Sequence, residues 1–469
     1  MLRPPREEVV FMHIRRTTYL MFVLIGALLV IGIAPTALAQ NLDTCPAIVN
    51  NALTQVGVNC AGMARNTACY GFRDISKGVV RGDVAPNFTW TPDQPELGSR
   101  IELTTTEAIQ TGPFDLLNRR WGLSVLELQA NLPNTLATPG VRMMALGGVE
   151  VENGVQPEEA LILPPAGVNV NTTRATNLRS NPDAPGWSSR IIDSVPAASL
   201  FEVDVVSDDG GWARVVFNGR PGWVSTADIS TTSDLSVLPQ VGPEDYTPYQ
   251  DFYFRVGIGG QRCADAPSLL FIQSPNNPVL STAAAPKDNM LMSPVEQRRV
   301  IVPIAVTLRI FDQDIEVEGS VVARTLPPGD DLGSAFELVN LFGLLRIYPD
   351  TPGEIIVPPG FATRLGLADI PTSLGIEGDD DERASIGRFG QPFPLSAAEL
   401  AALGVIGQIT SSTFGIFQTP VIPPRVIQAS GTGGTVPLIA CSDPNQCAAV
   451  QSLCASGALP QTICQAFAF

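Results

Sequence analysis

The stretch from Thr176 to Ser230 constrains the fold of this chain more than any other. Phe201, Val203 and Val205 alternate with Glu202 and Asp204, the period of a strand with one buried face. Asp208-Asp209-Gly210-Gly211 follows as a tight turn, because glycine accepts positive φ without steric cost. A second strand is expected from Trp212 to Phe217. Asn218-Gly219 then supplies the favoured pair for a type I′ hairpin, whose twist matches that of its flanking strands. The segment reads as a compact β-meander, with Trp212 and Trp223 anchoring a small core.

The opening Thr176-Asn177-Leu178-Arg179-Ser180-Asn181-Pro182 and the later Gly211-Trp212 and Gly222-Trp223 pairs recur in this order in one family. On these motifs, residues 168–230 resemble the bacterial SH3 (SH3b) family. The resemblance implies a small SH3-like barrel that binds rather than catalyses. It also implies a cell-wall polymer, such as peptidoglycan or its peptide bridges, or another envelope protein as partner. Trp187, Trp212 and Trp223 are the candidate ligand platforms, since an indole stacks on sugars or proline-rich peptides. Arg179 and Arg190 are candidates to meet a carboxylate.

Residues 1–39 read as an export signal. Arg3, Arg6, Arg15 and Arg16 form a basic start, Tyr19 to Ile33 is almost wholly apolar, and Ala37-Leu38-Ala39 offers a small-x-small cleavage pattern. The apolar run of ~15 residues is short for a bilayer span of ~20. An uncleaved signal anchor is the alternative, and it is the one expected route to a membrane. The expected location is extracellular or in the cell envelope.

All eight cysteines follow this segment: Cys45, Cys60, Cys69, Cys263, Cys441, Cys447, Cys454 and Cys464. An even count in an exported chain favours disulfides. The terminal four suffice for two bridges. The first three leave one over, and Cys263 is its partner outside the terminal set, which would staple two β-rich domains across the central block. Zinc is the weaker reading, since the chain has no Cys-x2-Cys pair and its one histidine, His13, lies in the export signal.

That missing imidazole excludes whole classes of chemistry after export. Cysteine–histidine endopeptidases, serine hydrolases with a histidine base and zinc amidases all need it. A carboxylate-only hydrolase stays formally open, whereas no Ser-x-x-Lys pattern opens a helix. Charge argues against nucleic acid. The chain holds 29 basic and 46 acidic residues, of which four and two lie in the export signal. The remainder is strongly acidic and repels phosphate backbones.

Glycine and proline are spread throughout, without long heptads. The expected architecture is therefore mainly β and multidomain, a central SH3-like barrel flanked by β-rich domains with short helices. The expected units are a β-rich domain at 41–164 with a cysteine-containing helix from Thr44, the barrel at 168–230, a linker at 231–248, a β-rich domain at 249–419, a tether at 420–440 and a cysteine-rich tail at 441–469. Within the later domain, Val317 to Thr325, Leu344-Leu345-Arg346-Ile347-Tyr348 and Val357-Pro358-Pro359-Gly360 resemble FecR-type periplasmic sensor domains. That resemblance implies a sensory or regulatory ectodomain as the alternative function. No cofactor is expected: Gly257-Ile258-Gly259-Gly260 lacks the third glycine of a dinucleotide loop, and Asp379-Asp380-Asp381-Glu382 lacks calcium-loop spacing. Ser396 and Glu399 are spaced as a helix capping box.

Overall fold

A computed structural model describes residues 44–72, 96–256 apart from 137, 232 and 233, residues 263 and 265–281, 298–329, 333–366, 387–396, 399 and 403–411, and short strands at 426–427, 438–440 and 467–468. The expected export signal, the Gly257-Ile258-Gly259-Gly260 stretch, the acidic run 379–382 and Cys441, Cys447, Cys454 and Cys464 lie outside the described residues.

Helix α1 (Cys45–Asn59) leads into β1 (Thr67–Phe72), β2 (Arg100–Glu102), β3 (Ala108–Gln110), β4 (Leu123–Leu128), β5 (Val141–Leu146) and β6 (Val149–Asn153). A middle group follows: β7 (Val168–Thr172), β8 (Thr176–Arg179), β9 (Ile191–Val195), β10 (Leu200–Val203), β11 (Val206–Ser207), β12 (Trp212–Phe217), β13 (Arg220–Ser225), β14 (Ile229–Ser230) and β15 (Gln240–Val241). The third group comprises β16 (Asp251–Val256), β17 (Leu269–Gln273), β18 (Asn276–Ser281), β19 (Arg298–Pro303), β20 (Val306–Ile310), β21 (Gln313–Gly329), β22 (Gly333–Ile347), β23 (Ile355–Val357), β24 (Phe361–Gly366) and β25 (Phe393–Pro394), before helix α2 (Gly404–Ser411). The protein is thus β-rich, with few helices.

Apart from β18 and β19, which pair with each other in a separate sheet, the first and third groups share one 14-stranded sheet, ordered β2-β1-β4-β5-β17-β21-β20-β16-β6-β3, with β22 to β25 branching from β21. The stretches 41–164 and 249–419, read from sequence as separate units, therefore contribute to a single sheet. The reason lies in burial. Along β4, Leu126 and Leu128 enter one core while Leu123 and Val125 enter another, and β5 and β17 divide in the same way. A strand covered on both faces is a near-continuous apolar run, and such runs need central neighbours from elsewhere in the chain. Helix α1 covers one face with Ile48, Val49, Ala52, Leu53 and Val56, which follow helical period. Disulfides hold both its ends: Cys60 to Cys69 in β1, and Cys45 to Cys263 with Cα atoms 6.3 Å apart.

The middle group forms an inserted unit of two sheets, β15-β11-β12-β13-β8-β9 and β10-β7-β14. Between them lie Val170, Leu178, Val203, Val215 and Val224. The hairpin turn has φ of 51° at Asn218 and 73° at Gly219, as type I′ requires. β12 has the bounds expected from sequence, but three features differ. The alternating strand ends at Val203, and Asp204 is fully buried instead of facing water, because Arg214 grips both its oxygens at 2.9 and 2.7 Å. Within the expected linker, Gln240–Val241 forms β15 and pairs in parallel with β11. The tryptophans do not anchor the main core of this unit, which is aliphatic with Phe201 buried in it and Phe217 packed edge-on against Phe201. They gather in a second cluster with Leu163, Val205 and Val241.

Candidate functional site

Cross-strand register explains that second cluster. Ala213 pairs with Val224 and Val215 with Gly222, and these face the core between the two sheets. Gly222 has to be glycine there, since a Cβ would lie 2.6 Å from the Leu178 Cγ. The intervening pair, Arg214 with Trp223, must point the other way. Arg179 of β8 pairs with Trp223 from its far side. The outer face thus carries a cation–indole–cation row across three strands. Trp212, two residues from Arg214, extends it, and the Arg179 guanidinium lies 5.8 Å from the Trp212 ring centroid, within cation–π range. Trp187 comes over from the loop before β9 and tilts against Trp223, with centroids 5.9 Å apart. Its indole N–H is buried without a hydrogen-bond partner among the described residues. Trp223 is buried, while Trp187 and Trp212 are half-exposed. Arg179 also pairs with exposed Asp183 at 2.8 Å.

Four of the five candidates therefore come together: Trp187, Trp212, Trp223 and Arg179. Arg190 has a different setting. Its guanidinium donates to both oxygens of Glu316 at 2.7 and 2.9 Å and to Asp350 at 2.7 Å. Burial opposes its charge, but Glu316 and Asp350 more than compensate and raise its pKa above the ordinary arginine value. The Ser180 hydroxyl donates to Asp350 at 2.8 Å and accepts from the Arg190 amide. Arg190 does meet carboxylates, but they belong to this chain, and the contact fastens the inserted unit to the large sheet. Arg214 adds a second fastening, donating to the Asn131 carbonyl at 3.0 Å.

Beside these clamps the inserted unit and the large sheet enclose a cleft of about 450 Å³. One wall carries Arg190, Arg214, Arg220 and Trp223, and the other Glu316, Glu318 and Arg346. Gly319 and Gly343 face each other at the bend of the long β21–β22 hairpin, both at positive φ. A Cβ on Gly343 would lie 1.8 Å from the Glu318 carbonyl, so the close backbone approach beside the cleft depends on glycine. Two carboxylates in a cleft is the arrangement a carboxylate-only hydrolase would use. Glu316, however, is taken up by Arg190 and by Arg346 at 3.2 Å and is nearly buried. Glu318 is not engaged in this way. Burial, with Glu316 beside it, pushes its carboxyl above the ordinary glutamate range, against Arg220, Arg346 and Arg190.

Among the described residues the one group with metal-ligand character is Cys45, Cys263 and Asp265, whose ligand atoms lie within 4.8 Å of one another. Two of these are joined as a disulfide, so their sulfurs are not the thiolates a metal requires. No helix among the described residues is long and apolar enough to cross a membrane. The Cys60–Cys69 disulfide, with S–S 1.96 Å, is compatible with an oxidising environment.

No family model, no curated protein and no solved structure matches this chain. The site thus rests on its own geometry. Sequence reasoning did not single out Glu316, Glu318, Asp350, Arg214 or Arg220. One signal was present: in Ile315-Glu316-Val317-Glu318 the two acids share one face of a strand.

Proposed function

We propose that this chain is an exported, non-catalytic binding protein whose SH3b-like unit engages a cell-wall polymer or another envelope protein. The observation that carries this reading is the half-exposed aromatic edge formed by Trp187 and Trp212, with Arg179 stacked on Trp212. Indole faces stack on sugar rings and proline-rich peptides, and a guanidinium at the same edge recognises a carboxylate. Asp183, more than half exposed, is a solvated partner that a ligand carboxylate would replace. Export is supported by the amino-terminal signal pattern and the disulfide between Cys60 and Cys69.

The test is a sedimentation assay of the full mature chain with isolated wall and envelope fractions. Trp212→Ala, Arg179→Ala and Trp187→Ala are each expected to weaken retention about tenfold or more, the scale of a lost stacking or charge-assisted contact. Retention unchanged in all three variants would remove the aromatic edge from the site. Retention of neither the parent nor the variants would remove the wall-binding reading.

A further inference from the structure

The cleft between the inserted unit and the large sheet has a charge pattern that the clamps do not use. Three of its four arginines hold carboxylates of the chain: Arg190 with Glu316 and Asp350, Arg214 with Asp204, and Arg346 with Glu316 and Glu354. Arg220, at the start of β13, has a side chain with no hydrogen bond or ion pair among the described residues. The carboxylate of Glu318, on β21, likewise has none. These two groups are opposite in sign and line the same cavity from opposite walls. They are close enough to influence each other electrostatically, yet they are not in contact. Trp223 and Pro221, on the same strand as Arg220, add apolar lining. A half-buried carboxylate without a donor is costly unless a donor is supplied. The volume, about 450 Å³, is that of a small-molecule site.

We propose that this cleft binds a small zwitterion, a free amino acid or dipeptide whose ammonium group meets Glu318 and whose carboxylate meets Arg220. A simple anion is disfavoured because Glu318 would face it. A simple cation would leave Arg220 unmatched and would also face Arg190 and Arg346. A ligand carrying both charges complements both walls, and its side chain lies on Trp223. This site borders the aromatic cluster through Trp223, but it does not depend on the wall-binding reading.

The experiment is saturation-transfer NMR and titration calorimetry on the full mature chain. The probes are a set of free dipeptides spanning small, apolar, acidic and basic side chains, together with the same dipeptides acetylated at the amine or amidated at the carboxylate. At least one free dipeptide is expected to bind saturably at or below millimolar concentration. Capping either end is expected to weaken it about tenfold or more, the loss of one charge-assisted contact. Glu318→Gln and Arg220→Gln are expected to cause losses of the same size. Arg220 is exposed, so its variant keeps the fold, and unchanged thermal unfolding checks this. Absence of binding by every free dipeptide overturns the proposal. So does equal binding of free and capped forms, or binding that neither variant alters.

Discussion

Replacing Arg190 with alanine tests how the inserted unit is held. Glu316 and Asp350 have side chains only 7% and 3% exposed, and Arg190 itself is 27% exposed. Removing the guanidinium leaves two nearly buried carboxylates, and breaking a buried pair from one side costs about 3–5 kcal/mol. Two contacts hold the expectation near the lower end, about 3 kcal/mol. Arg346 stays 3.2 Å from Glu316, and the Ser180 hydroxyl stays 2.8 Å from Asp350. A loss of that size is a large share of the ~5–15 kcal/mol by which native proteins are stable. Equilibrium urea unfolding followed by tryptophan fluorescence reads it, because Trp223 and Trp187 lie beside the clamp. Arg255→Ala is the matched control. Its pair with Glu152 is 53% and 40% exposed, so its loss is worth at most about 1 kcal/mol. The Arg190 effect is also expected to persist at high salt, where exposed pairs are screened. If Arg190→Ala costs no more than Arg255→Ala, the carboxylates are solvated and the clamp does not exist.

Three further outcomes follow from the geometry. A carboxyl whose pKa is raised on folding contributes stability that is complete below the ordinary glutamate range, near pH ~4.3, and is lost as pH rises through the folded value. Glu318 is such a group. Glu318→Gln is therefore expected to unfold at higher temperature than the parent at pH 7, with the gap closing in acid; equal midpoints at both pH values contradict this. Gly343→Ala, at φ 77° and with its Cβ in the Glu318 carbonyl, is expected to lose well over the ~1–2 kcal/mol that the left-handed region alone costs a side chain; urea unfolding measures it. Trp223→Ala, at 5% exposure, is expected to cost about 3–5 kcal/mol. A cost under about 1 kcal/mol would mean that this ring is not packed.

The local features of the inserted unit were legible because they depend on neighbours in sequence. Asn218-Gly219 specifies its turn, and β12 runs between two glycine-containing turns. The Ser396–Glu399 capping box is likewise formed, with reciprocal bonds of 2.7 and 3.2 Å. What could not be read were relations between distant segments. Val141 to Leu146 reads as a strand from its own residues, but nothing local states that it pairs with Leu269 to Gln273. Asp204 looked like the outward residue of an alternating strand. Only the far end of Arg214, reaching across from β12, makes its burial tolerable. The tryptophans were read as anchors of a small core, but which core they join depends on distant packing: Trp223 is buried with Leu163, Val205 and Val241. Which face of β13 turns inward is decided by Leu178 packing on Gly222, a contact across strands. Arg190 was recognised as a carboxylate partner, while the carboxylates it meets lie more than a hundred residues away.

The pairing of β6 with β16 places the exit and return of the inserted unit side by side, with Phe252 opposite Asn153. Synthesis runs from the amino terminus, so β1 to β6 emerge well before β16, β17 and β21, the strands that complete their sheet. The inserted unit, built from pairings short in sequence, has all its strand partners as soon as it emerges and closes early. The first apolar strands must meanwhile wait uncovered, and the bond from Cys45 to Cys263 can form only once that wait is nearly over. Aggregation of this chain during production is thus a hazard centred on β4 and β5, Leu123–Leu128 and Val141–Leu146, and shielding them until the later strands arrive is the point at which a holding factor would act.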